Sequence, residues 1–125
     1  MKYILSIDQG TTGTRAMLFD ENLKTVCMSY IEHEQIYPHS GWVEHDPVEI
    51  FNNCLEVSGN VLRKAGEMNI FPEAIQGIGL ANQGETVVVW DRTTGLPVCN
   101  AIVWQCRRTT QEIEKLQLVP LFADS

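Results

Sequence analysis

Short apolar bursts open the chain, and the spacing of apolar positions then lengthens. Tyr3 to Asp8 is an apolar run ending in an acid, which predicts a buried strand. Arg15 to Phe19 predicts a second strand. Asp20-Glu21-Asn22 is a turn signal, and Thr25 to Ile31 supplies a hairpin partner. Three antiparallel strands are therefore expected first. An extended segment, Gln35 to Glu44, carries Pro38 and Gly41. Beyond it Phe51, Cys54, Leu55, Ser58, Val61, Leu62 and Ala65 recur at three- and four-residue steps, the pattern of an amphipathic helix with one buried stripe. Asp46 is placed to cap that helix, Pro47 suits its first position, and Glu49 is placed to reach back as in a capping box. Gly66 is expected to weaken its end.

The later pattern returns to strands. Ala74 to Ala81 predicts a short central strand whose small residues allow close backbone packing. Asn82 to Glu85 is a polar tip, and Thr86 to Asp91 is a strongly β-prone run. Thr93 to Pro97 is a turn, Ala101 to Trp104 a last short strand, and Thr109 to Leu118 turns helical. Strands, a helix and further strands make an α/β fold with a mixed sheet, unlike the βαβ order of a Rossmann domain.

Composition narrows the function. The 125 residues are one domain's worth, and 44% hydrophobic with 20% charged residues builds a core. No apolar run is long enough to span a bilayer, and the amino terminus lacks a leader's cleavage site. A cytoplasmic protein with no membrane partner is expected. A formal net charge of -7 disfavours nucleic acid, whose phosphates need basic residues, and Arg107-Arg108 makes no extended patch. The four cysteines form no C-x-x-C pair and are expected to be free thiols. His33, His39 and His45 suggest no role on their own.

Three clusters have chemical content. Asp8-Gln9-Gly10-Thr11-Thr12-Gly13-Thr14-Arg15 places a carboxylate suited to hydrated magnesium at a strand end. A glycine- and hydroxyl-rich turn follows, whose backbone N–H groups can cradle an anion, and Arg15 can neutralise phosphate. An ordinary hairpin turn accounts for the same residues. Neither G-x-x-x-x-G-K-[ST] nor G-x-G-x-x-G is present. Asn82-Gln83-Gly84-Glu85 offers amides and a carboxylate to a hydroxyl-rich ligand, or is a solvated turn. Trp104-Gln105-Cys106-Arg107-Arg108 offers an aromatic face to a polyol, or a core tryptophan. Asp46 reads as a helix cap rather than a catalytic acid.

Taken in order, these segments resemble the FGGY family of carbohydrate kinases, and within it the glycerol kinases. The resemblance runs through Asp8 to Thr12 with Arg15, Glu34-Gln35-Ile36-Tyr37-Pro38, and Gly41-Trp42-Val43-Glu44-His45-Asp46-Pro47. It continues in Asn82-Gln83-x-Glu85-Thr86 and Asn100 to Thr109. It implies a ribonuclease H-like, actin-like ATPase fold, with residues 1–125 forming an incomplete amino-terminal domain of a two-domain enzyme. ATP and Mg2+ are the implied cofactors. Thr11, Thr12, Gly13 and Arg15 would contact phosphates, and Asp8 would face the magnesium-bound phosphates. Glu85 would bind the hydroxyls of a small polyol, and Trp104 would line its pocket. The general base and the adenosine pocket would lie outside these residues, so the isolated chain is expected to be inactive. Exposed apolar surface favours homo-oligomers. Gly84 departs from the resemblance, because glycerol kinases carry an arginine there. Either a different polyol is preferred or another residue supplies the contact. A non-catalytic actin-like module and a fragment without function are the competing readings.

Overall fold

The computed structural model describes residues 1–120. Its first sheet contains β1 (Tyr3–Gln9), β2 (Gly13–Phe19), β3 (Thr25–Glu32) and β5 (Ile75–Asn82) in the order β3-β2-β1-β5. β1 pairs antiparallel with β2, β2 antiparallel with β3, and β1 parallel with β5. The sheet is thus mixed, and it opens with the three-stranded antiparallel meander expected from the sequence. Two-residue strands β4 (Glu44–His45) and β6 (Ala101–Ile102) pair separately.

Helix α1 (Pro47–Glu67) covers one face of the meander. The core joins Leu5, Ala16 and Leu18 of the sheet to Val57, Val61 and Ala65 of the helix. The buried stripe of α1 is Asn53, Val57, Val61 and Ala65, which differs in phase from the expected one. Phe51 and Leu55 are exposed because the sheet lies under the other side of the helix. The Asp46 carboxylate accepts from the Val48 N–H at 2.9 Å, as expected of a cap. The reciprocal half of the capping box does not form. Glu49 Oε1 instead accepts from the Glu34 N–H at 2.7 Å and ties the extended segment to the helix start.

The helix end is fixed by Asn69 rather than weakened at Gly66. Asn69 has φ 59°, its N–H donates to the Gly66 carbonyl, and the Ile70 N–H donates to the Ala65 carbonyl. These are the two bonds of a Schellman motif, with asparagine in the left-handed position.

Two strand expectations are corrected. β5 is an edge strand among the described residues, not a central one, and Ile78 and Leu80 are exposed. Thr86 to Asp91 is not a strand. It makes only isolated bridges, Val87 with Ile102 and Trp90 with Pro97, because no neighbouring strand offers a continuous ladder. The final strand shortens to Ala101–Ile102, while α2 (Thr110–Gln117) forms as the helical pattern predicts.

Candidate functional site

Parallel pairing brings the carboxyl ends of β1 and β5 side by side, with Gln9 opposite Asn82. In open α/β sheets that end is where loops meet to hold ligands. The turn after β1 and the polar tip after β5 are therefore neighbours by topology. The Gln83 N–H donates to the Gln9 carbonyl at 2.8 Å, extending the ladder one step into the tip.

The turn is tight. The Gly10 N–H donates to the Gly13 carbonyl at 2.9 Å. Thr11 is half-buried, Thr12 is exposed, and the Thr12 carbonyl accepts from the His33 N–H at 3.2 Å. Gly13 is buried against β3, where a Cβ would lie 2.5 Å from the Ile31 carbonyl oxygen. Its lack of a side chain serves the hairpin. Asp8 and Arg15 are exposed cross-strand partners on the sheet face away from the core. The Arg15 guanidinium lies 5.2 Å from the Tyr30 ring centroid, a cation–π arrangement that holds it near the turn.

Trp104 reaches this turn across 93 positions of sequence. Its indole Nε1–H donates to Thr11 Oγ1 at 2.9 Å, while about half of the side chain stays exposed. The Trp104 loop is held from behind. The Arg107 N–H donates to the Gly41 carbonyl at 2.8 Å. The Arg108 guanidinium donates to Glu44 Oε2 and stacks 3.9 Å from the centre of the Trp42 ring. The Arg108 bond, partly opposed by burial, keeps the Glu44 carboxyl below its ordinary range. Arg108 is thus a clamp. A groove of about 630 Å³ runs between this loop and α2, lined by Trp104, Arg107, Thr110, Ile113 and Glu114 among others. Gly84 and Glu85 are not part of that lining.

The tip has two unusual residues. Glu85 is exposed with φ 61°, a left-handed conformation that costs a side-chain-bearing residue roughly 1–2 kcal/mol. Such strain gathers at ligand sites. Gly84 lies outside the left-handed region, and a Cβ built there meets nothing within 4 Å. Glycine at this position leaves space rather than satisfying the backbone. The antiparallel Val87–Ile102 bridge lies two residues from both Glu85 and Trp104, which puts them at the same end of the molecule.

Behind turn and tip lies a buried polar network that sequence reasoning did not find. His45 is fully buried. Its Nε2 is 2.7 Å from Gln35 Oε1, and its Nδ1 is 3.2 Å from Gln83 Nε2. Gln35 Nε2 donates to the Thr11 carbonyl at 2.9 Å, and Gln83 Nε2 also donates to Gln9 Oε1 at 3.3 Å. His33 packs edge-on against His45 with ring centroids 4.3 Å apart. The only signal in the sequence was glutamine at three separated loop and strand ends, which no local pattern connects.

A single carboxylate is a poor site for a bare metal, and no group of three or more His, Cys, Asp or Glu residues is placed to hold one among the described residues. Asp8, exposed at the end of β1 beside the Gly10–Gly13 turn, is a donor that fits hydrated Mg2+, which takes one or two carboxylates and completes its shell with phosphate and water.

The family model for the FGGY family of carbohydrate kinases, N-terminal domain, matches residues 3–121. Glycerol kinase 2 of Thermotoga maritima is 54% identical over 117 residues, covering 94% of this chain and 23% of that protein. Glycerol kinase of Haloarcula marismortui is 53% identical, covering 92% of this chain and 22% of that protein. Among solved structures, Plasmodium falciparum glycerol kinase with ADP superposes with a TM-score of 0.80 at 35% identity, over 95% of this chain and 23% of that one. Xylulose kinase from Rhodospirillum rubrum gives 0.84 at 26% identity, over 94% of this chain and 24% of that one. The chain spans less than a quarter of the length of these relatives.

Proposed function

The chain belongs to the FGGY family of carbohydrate kinases, with the ribonuclease H-like, actin-like fold of that family, and from this premise we propose a role in ATP-dependent phosphorylation of a small polyol. The observation that carries the proposal is the Trp104–Thr11 hydrogen bond, which joins the phosphate turn to the substrate-side loop.

In this reading Thr11, Thr12, Gly13 and Arg15 receive the phosphates of ATP, Thr12 by its hydroxyl, Gly13 by its backbone and Arg15 by its charge. Asp8 faces the Mg2+ that accompanies them, and the ion's chemistry is to neutralise charge on the transferred phosphoryl group. Glu85 accepts hydrogen bonds from substrate hydroxyls, and Trp104 presents its exposed face to their C–H side. Phosphoryl transfer depends on positioning and charge more than on covalent chemistry. The base that deprotonates the attacking hydroxyl is assigned outside these 125 residues, so this chain supplies the phosphate and substrate sides of the site.

Gly84 sets the choice of polyol. Open space beside Glu85 suits a polyol larger than glycerol. The test is phosphorylation of glycerol, erythritol and longer polyols by a full-length protein carrying this domain. Gly84→Arg should lower the KM for glycerol about tenfold or more, the effect of one charged hydrogen bond. A native preference for glycerol that Gly84→Arg leaves unchanged removes Gly84 from specificity. No ATP-dependent phosphorylation of any polyol or sugar removes the function itself.

A further inference from the structure

His45 sits where four amide and imidazole groups form a directed chain, and the direction is fixed by backbone carbonyls. Gln35 Nε2 is committed to the Thr11 carbonyl, so its Oε1 faces His45 Nε2. Gln9 Nε2 is committed to the Gly10 carbonyl at 2.7 Å, so its Oε1 faces Gln83 Nε2. That commits the Gln83 amide nitrogen, which also faces His45 Nδ1. An amide oxygen only accepts and an amide nitrogen only donates. The imidazole must therefore donate through Nε2 and accept at Nδ1, as the neutral Nε2–H tautomer.

Resting on the polyol-kinase reading above, we propose that His45 is a positioning residue, joining the phosphate turn through Gln35 to the substrate-side tip through Gln83. It touches neither ATP nor polyol. It sets the separation of the two elements that do, by a rigid ring bonded at both nitrogens.

The surroundings favour the neutral ring. Burial, reinforced by His33, brings the His45 pKa down to about 4, against an opposing pull from the Glu49 carboxylate. The other groups bonded to the ring are uncharged amides. Protonation would aim an Nδ1–H at the Gln83 amide nitrogen, setting donor against donor.

Two substitutions separate the two arms in a full-length protein carrying this domain. His45→Asn keeps an acceptor on the Gln83 side but is too short to reach Gln35. His45→Gln keeps a donor towards Gln35 and loses the acceptor facing Gln83. His45→Asn is expected to raise the KM for ATP about tenfold and move the polyol KM less, and His45→Gln to do the reverse. Equal changes in both constants for both variants overturn the proposal and leave the kinase reading intact. If the unsubstituted protein phosphorylates no polyol, the kinase reading fails, and nitrogen-15 NMR of the 125-residue chain still decides the ring's role. An Nε2–H tautomer that stays neutral down to a midpoint of about 4 is expected. An Nδ1–H tautomer, or a midpoint at the ordinary histidine value, overturns the bridge even in an active kinase.

Discussion

The residues before Ile75 and those from it onwards are comparably rich in apolar side chains, yet only the first set makes a core. Leu5, Ala16, Leu18, Val57, Val61 and Ala65 are all buried and all precede Ile75. After it, Ala101 and Val103 are the buried apolar residues among those described, while Ile78, Leu80, Val87, Val89, Trp90 and Leu96 stand exposed. The difference is a partner layer. The meander has α1 across one face. β5 has β1 on one side and no described strand on the other, and α1 lies over β2 and β3 instead. Apolar content becomes stability only where a second layer removes it from water.

The largest expected effect that tests this contrast is Leu18→Ala. Leu18 is fully buried between sheet and helix, so truncation should cost about 2–5 kcal/mol in urea unfolding followed by circular dichroism. A loss under about 1 kcal/mol would mean that the meander and α1 are not the stable unit.

Acid should act next, through His45. Its folded pKa of about 4 lies below the ordinary histidine value, so the fold favours the neutral ring. That contribution is fully present above the unfolded pKa of about 6.5 and is lost as pH falls through the folded value. Stability should therefore decline between these limits, and His45→Asn should flatten the decline. An unchanged slope in urea midpoints across that range breaks the assignment.

A change of opposite sign is expected in the β2–β3 turn. Leu23 is 82% exposed with φ 61°, which is strained for a branched side chain that buries nothing. Leu23→Gly should raise stability by about 1 kcal/mol, read as a higher thermal midpoint. The smallest effect belongs to the second region. Val89→Ala, at an exposed position whose backbone bond to the Val98 N–H the substitution leaves in place, should stay within about 0.5 kcal/mol. Leu80→Lys should leave the unfolding curve alone while reducing self-association in sedimentation velocity, because it places charge on a bare apolar edge. A marked loss of stability in either variant would show a packed layer where none is described.

The same contrast explains what the sequence made readable. The meander and the start of α1 were legible because their signals are local: an apolar run from Tyr3 that ends in Asp8, a turn at Asp20, and Asp46-Pro47 before a helical repeat. Asp8, Thr11 and Trp104 were legible as candidates through motif resemblance, although no local pattern foretold the bond from Trp104 to Thr11. Thr86 to Asp91 was misread because β-propensity describes fitness for a paired, half-buried surface, and that segment has only isolated bridges. The phase of α1 was misread because Phe51 and Leu55 repeat with helical spacing whether or not anything covers them. The His45 network was invisible because its partners are joined only by the tertiary fold.

Gly13 and Gly84 would behave oppositely if each position were randomised and functional variants recovered. Any larger residue at Gly13 drives its first carbon to within 2.5 Å of a main-chain oxygen and 2.6 Å of the Tyr30 hydroxyl, so survivors should be glycine alone. Gly84 faces empty space, and its survivors should sort by the ligand supplied during selection. One glycine holds the hairpin's geometry constant while the other is free to change what the site accepts.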